Sequence, residues 1–476
     1  MASIEKAEPT TMEVEAVPKL TEHSNPDQLA EFEPKRARSI RRKVDLRLLP
    51  ALAFMYAICL IDRNNLAALA LAGMTVELKI VTGYGYNLIN MSFFITYILL
   101  QPVMIIVGRK IGPRWFLPAC VVLWGCLIIG AAWSPNWTTL LGIRLILGCL
   151  EAGFFPCCVY LISAWYTRFE SAKRYSAFYL TGSCMAALAS VVSYGLSEMK
   201  GIGGLSGWRW ILIMFGIFTV GAGAYGALTM VKFPDEELKK PSPKFLNRDD
   251  LDFATARLHA DRADVELEPY GLVHLWFPAL LMLNTALGYA FAFTLPVILR
   301  GSLGFSVAKA LCLTTPPYFC SALVMFGAAW ISDKYQTRGP VLITLTLISL
   351  VGLPIMGWVK NPWVQYFGVF VTISGANSAI PSVMAYQATN IRGQWRRAFC
   401  SASLTGLGGI GGIIGALIFR AQDAPKYYPG FIACIVASVL IIIIVLIMSW
   451  YFRRCNAQAD RGERILLGDP NFRFTI

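Results

Sequence analysis

The chain has 476 residues, 56% of them apolar, with a mean hydropathy of +0.55 and a formal net charge of +13. An ordinary soluble domain is about 45–50% apolar, so the excess has to be hidden in lipid. The charge does not mark a nucleic-acid binder, because Lys and Arg fall in short clusters between apolar runs, and the lack of a nucleophile–base pair, metal cluster or phosphate loop speaks against an enzyme.

Residues 1–45 are polar, rich in Glu, Pro and Lys, and lack an apolar leader, which reads as a disordered cytoplasmic tail. Apolar runs then fall at 46–66, 87–107, 115–133, 138–160, 176–197 and 209–231, and again at 274–298, 310–331, 340–358, 363–386, 400–420 and 429–452. A bilayer-crossing helix needs about 20 such residues, because every backbone amide must pair within it, and none of the runs alternates as a barrel strand does. The expected fold is an all-α polytopic membrane protein of twelve transmembrane helices. Two six-helix bundles, 46–231 and 273–452, are joined by a cytoplasmic linker, 232–272, and followed by a cytoplasmic tail, 453–476. Within the linker, Asn247 to Asp264 carries Leu251, Ala254 and Leu258 on one face, the pattern of an amphipathic helix on the inner membrane surface.

Positive residues near helix ends are retained on the cytoplasmic side. The clusters Lys35 to Lys43, Arg109 to Arg114, Arg168 to Arg174, Lys232 to Arg262, Lys334 to Arg338, Arg392 to Arg397 and Arg453-Arg454 all fall in a tail or an even-numbered connection. Both termini are therefore expected in the cytoplasm. The basic turns Gly108 to Arg114 and Ile331 to Gly339 occupy corresponding places in the two halves, as parallel repeats would leave them.

Ionisable groups inside spans are costly in lipid and persist where they face a cavity or a partner. Span 1 holds Asp62-Arg63-Asn64-Asn65 and span 4 holds Arg144 and Glu151. At 1.5 Å per residue, Asp62 and Arg63 lie about 24 Å along span 1, while Arg144 and Glu151 lie about 10 and 20 Å below the outer surface, so the four are placed to line one cavity. Arg144, Gly148 and Glu151 share a helix face. A guanidinium suits a carboxylate ligand, and a carboxylate in a poorly hydrated cavity suits a reversibly bound proton. The plainer alternative is that these groups pair with one another and lock span 1 against span 4.

Tyr97, Gln101, Asn284, Asn377 and Ser401 are further polar residues within spans, for each of which an interhelical hydrogen bond is the plain reading. Asn377 stands out most as a solute contact, and Tyr97 is a second candidate. His23, His259 and His274 lie outside the spans or at an edge, so a histidine relay is not expected. The twelve cysteines read as small core hydrophobes without metal-ligand spacing. Six glycines between Gly406 and Gly415 in span 11 allow close helix approach.

Four stretches carry a family resemblance: Tyr56 to Leu66, containing Leu60-Ile-Asp-Arg-Asn64; Arg144 to Pro156 with Trp165-Tyr166 and Glu170 to Arg174; Ser206 to Trp210; and Asp423 to Phe431. Here the sequence resembles the major facilitator superfamily, in its anion:cation symporter family and the fungal branch typified by allantoate permease. The resemblance implies the major facilitator fold, with Arg63 binding a substrate carboxylate, Asp62 and Glu151 as proton sites, and Arg144 shaping the same cavity. It departs from the branch at Gln101-Pro102, at Phe215-Gly216 and near Ala68. The function it implies is proton-coupled import of a small organic anion by alternating access. The protein would act as a plasma-membrane monomer, with the proton as coupling ion, no other cofactor, and only the substrate and the bilayer as partners. Proton-antiport export of a metabolite or toxin, or a solute-sensing receptor, are the alternatives. Span 5 lacks the Gly-Pro of exporters, and the tails are short for a receptor.

Overall fold

The computed structural model describes residues 34–80, 84–166, 168–239, 241–242, 245–261, 276–391, 394–463, 465–466 and 472–476. Eleven helices among them are long and apolar enough to cross a membrane. Span 11, Gln394–Ile418, supplies the twelfth, with an apolar part, Ser403–Ile418, shorter than the rest. The first half holds span 1, Pro34–Asn64, span 2, Gly85–Ile111, and span 3, Pro113–Ala131. Span 4 is Trp137–Glu151 plus Phe154–Trp165, span 5 is Arg168–Ser197 and span 6 is Gly207–Thr229. The linker contributes Pro234–Lys239 and Arg248–Asp261. Spans 7 to 10 are Trp276–Gly301, Val307–Tyr335, Gly339–Trp358 and Pro362–Asn390, and span 12 is Tyr428–Asp460.

Three elements differ from the expectation. The stretch 34–45, expected as unstructured tail, is helix, because its Lys and Arg side chains favour helix and its inner face is tied to the linker. Arg36 and Lys43 each reach Asp250 at 3.3 Å. The rest of that tail, 1–33, lies outside the described residues. Span 1 also runs on past residue 66, through Leu66–Leu69, a π turn at Ala70–Met74 and Thr75–Glu77. Gly73 makes the bend, with φ +105, which a side chain would oppose. Span 4 breaks after Glu151, where Pro156 has no N–H to give and its ring opposes the carbonyl of Ala152. The linker helix buries Leu251 and Leu258, two of its three predicted apolar positions.

Spans 3 and 6, 7 and 11, and 9 and 10 are closely packed pairs, and spans 2 with 11 and 5 with 8 meet between the halves. Span 11 does this with glycine on two faces. A Cβ at Gly411 would collide with the Met282 carbonyl and the Thr285 hydroxyl, and one at Gly415 would stand 2.6 Å from the Ala286 oxygen of span 7; one at Gly409 would stand 2.6 Å from Ile98 of span 2. The outer ends of the halves are latched together. Tyr86 donates to the Phe293 carbonyl at 2.7 Å, and the Asn87 amide donates to the carbonyls of Ala416 and Phe419 at 2.6 and 3.0 Å. At the inner end of the second half, Phe474 stacks on Phe452 with ring centres 4.5 Å apart, and the amide of Asn456 bonds both backbone groups of Phe474.

Candidate functional site

Neighbouring residues on a helix point about 100° apart, so Asp62 and Arg63 face different parts of the protein. Arg63 turns toward spans 2, 4 and 7. Its Nη2 lies 2.8 Å from Glu151 Oε2, with both side chains buried, and its Nη1 donates to the Tyr289 hydroxyl at 3.1 Å. The guanidinium carbon sits 4.9 Å from the centre of the Phe93 ring and 5.0 Å from that of Tyr97. The Cys59 thiol, one turn earlier on span 1, donates to Glu151 Oε2 at 3.3 Å. One cation is therefore held by a carboxylate, two aromatic faces and a phenol, and the phenol belongs to the other half.

Asp62 turns toward spans 3 and 6. Its Oδ2 accepts from Trp124 Nε1 at 3.3 Å and from the Thr219 hydroxyl at 2.8 Å. It has no ion pair among the described residues, although it is only 4% exposed. Asp62 Oδ1, Glu151 Oε1 and Arg63 Nε are buried without a hydrogen-bond partner in the structure. Buried polar atoms are normally paired, so two open positions in the Arg63–Glu151 cluster, and a third on Asp62 one helix face away, mark a place built for something besides packing.

The structure brings Arg63, Glu151 and Tyr97 together and sets Asp62 one helix face away. Arg144 and Glu151 are both buried on span 4, but among the described residues no hydrogen bond or ion pair joins Arg144 to the cluster. The same holds for Asn377, half-buried on span 10 with its Oδ1 opposite Gly288 of span 7. Gln101 is buried with its amide nitrogen unpartnered, and Asn284 bonds its own helix at the Leu280 carbonyl. The side chains of Ser401 and His259 lie outside the described residues, as do His23 and His274. The reading of every cysteine as a plain hydrophobe fails at Cys59, whose thiol is bonded into the charged cluster.

Sequence reasoning missed Cys59, Phe93, Trp124, Thr219 and Tyr289. Two had a local signal, since Cys59 precedes Arg63 and Phe93 precedes Tyr97 by four residues, the spacing of a shared helix face. Tyr289, Trp124 and Thr219 reach the site from other helices and had none.

A family model described as Major Facilitator Superfamily matches residues 52–416. The chain is 30% identical to the MFS-type transporter cnsO of Penicillium expansum, covering 90% of this chain and 86% of that one. It is 25% identical to the high-affinity nicotinic acid transporter of Saccharomyces cerevisiae, over 91% and 82% of the two chains. Among solved structures, the xylose transporter XylE of E. coli matches with a TM-score of 0.65 at 13% identity, covering 86% of this chain and 99% of that one, a likeness of fold.

Proposed function

The chain belongs to the Major Facilitator Superfamily and is a multi-pass membrane transporter, not an enzyme, and from that premise we propose that it imports a small organic anion, a carboxylate, together with a proton. The observation that carries this reading is the Arg63 guanidinium, buried in the middle of the protein, paired to Glu151 at 2.8 Å and touched by Tyr289 of the opposite half.

A substrate carboxylate competes with Glu151 for Arg63, whose planar fork matches it with two parallel hydrogen bonds. Glu151, displaced, is left in a dry site without its counter-charge and takes a proton, because burying an unpaired carboxylate costs several kcal/mol. Anion and proton thus load together. Asp62, buried with two neutral donors, is the second proton site, Arg144 shapes the cavity on span 4, and Asn377 of span 10 is a substrate contact from the second half. Because Tyr289 and Glu151 hold the same guanidinium, an exchange of Arg63 partners is felt by both halves, which is what alternating access about a midplane site requires. One relative is named for nicotinic acid, and the faces of Phe93 and Tyr97 beside Arg63 suit a flat aromatic carboxylate. The plasma membrane is the site of action proposed, with the monomer as the working unit.

The test is equilibrium binding of labelled nicotinate and other small carboxylates to the purified protein and to Arg63→Lys and Arg63→Ala. The expected result is binding of one carboxylate by the native chain, weakening in the lysine variant and loss in the alanine variant. Undiminished binding by Arg63→Ala, or no carboxylate bound by the native chain, sinks the reading.

A further inference from the structure

The inner extension of span 1 carries seven basic residues between Lys35 and Arg47, and they divide by face. Arg36 and Lys43, seven residues apart, turn inward to Asp250 of the linker helix, and Asp45 holds Arg174 of span 5 at 2.8 Å. Lys35, Arg38 and Arg42 occupy another face, within about 60° of arc at 100° per residue. All three are exposed and, among the described residues, none has an ion pair. The same face continues down the helix to Leu46, about 20° from Lys35, which is apolar, 68% exposed and meets the lipid.

From this continuity we infer that Lys35, Arg38 and Arg42 form a docking stripe for anionic phospholipid of the cytoplasmic leaflet. Arg42 stands about 6 Å above Leu46 at 1.5 Å per residue, within the headgroup layer, which is about 5–8 Å thick on each side. Arg38 and Lys35 rise through the next ~10 Å, about one Debye length at 0.1 M salt, so they still feel the negative surface potential. Asp250 pairs Arg36 and Lys43, and among the described residues no carboxylate pairs the three on this face. Because the linker helix braces the extension, the stripe is presented on a fixed rod instead of a loose tail. The lipid's phosphate and carboxylate groups supply the charge that the protein does not.

A basic residue near an anionic surface contributes attraction equivalent to about five-fold in affinity, so neutralising three weakens lipid binding by roughly ten- to a hundred-fold, Arg42 contributing most. The test titrates detergent-purified full chain with phosphatidylserine or phosphatidylcholine and counts bound lipids by native mass spectrometry. The variants are K35Q/R38Q/R42Q, the single Arg42→Gln, and K200Q/K360Q/K426Q, which removes the same charge from the outer surface. The expected result is a ten-fold or larger rise in half-saturating phosphatidylserine for the stripe variant, a smaller rise for Arg42→Gln, and none for the outer variant. Phosphatidylserine binding by the native chain should also fall as salt is raised. Equal behaviour of the stripe and outer variants overturns the inference and leaves the acidic first 33 residues as the stripe's partner; salt-insensitive binding also overturns it.

Discussion

Replacing Glu151 by leucine isolates a guanidinium that the fold keeps 7% exposed. Arg63 then retains the Tyr289 hydroxyl at 3.1 Å and two aromatic faces near 5 Å, none of which carries a full negative charge. Breaking a buried pair by removing one partner costs about 3–5 kcal/mol, whereas replacing both by apolar groups is often neutral. The reciprocal change, Arg63→Met, costs less, because a stranded carboxylate neutralises itself by taking a proton and a guanidinium cannot. The thermal midpoint, followed by tryptophan fluorescence of purified protein, should therefore be lowest for Glu151→Leu, intermediate for Arg63→Met, and near native for the double variant. With the double variant near native, the coupling equals the sum of the two single losses, about 3–5 kcal/mol or more. Additive losses, with the double variant least stable of all, would refute the claim that these two charges are held in place by each other.

Asn87→Ala removes two hydrogen bonds that close the outer end, worth about 1 kcal/mol each, and should shift the protein toward an outward-open state by about ten-fold or more. Mass-spectrometric mapping of Cys59 alkylation by an impermeant reagent added outside reads that shift as faster labelling. Gly148→Ala places a methyl against the Phe93 carbonyl and Thr96 hydroxyl of span 2, so spans 2 and 4 must separate; a loss of about 1–3 kcal/mol in stability and a larger loss of uptake are expected. Asp250→Ala frees Arg36 and Lys43 from the linker at a cost of about 1 kcal/mol or less, and limited proteolysis should cut the linker faster while uptake persists.

The architecture was legible because lipid leaves a helix no alternative. Runs of about 20 apolar residues were enough for the span count. The ends of spans were less legible, since Pro34 to Asp45 is polar and becomes helical through a partner, Asp250, more than two hundred residues away. At the site, the cost of a charge in lipid singled out Asp62, Arg63 and Glu151. Which charge pairs with which depends on side-chain direction, so the separation of Asp62 from Arg63 was not readable from spacing alone, nor was the fact that Arg144 forms no ion pair among the described residues. Tyr289 was invisible for the same reason, because nothing near residue 289 in sequence records that Arg63 lies opposite it.

The central claim is that proton and anion move together because Glu151 and the substrate compete for Arg63. It is tested most directly by uptake of labelled small carboxylates into proteoliposomes, with and without an inward proton gradient, for the native chain and Glu151→Gln. The native protein should accumulate one of them only when the gradient is imposed, while Glu151→Gln exchanges it across the membrane without accumulating it. Gradient-driven accumulation that survives in Glu151→Gln, or native accumulation driven only by an outward proton gradient, would contradict the account.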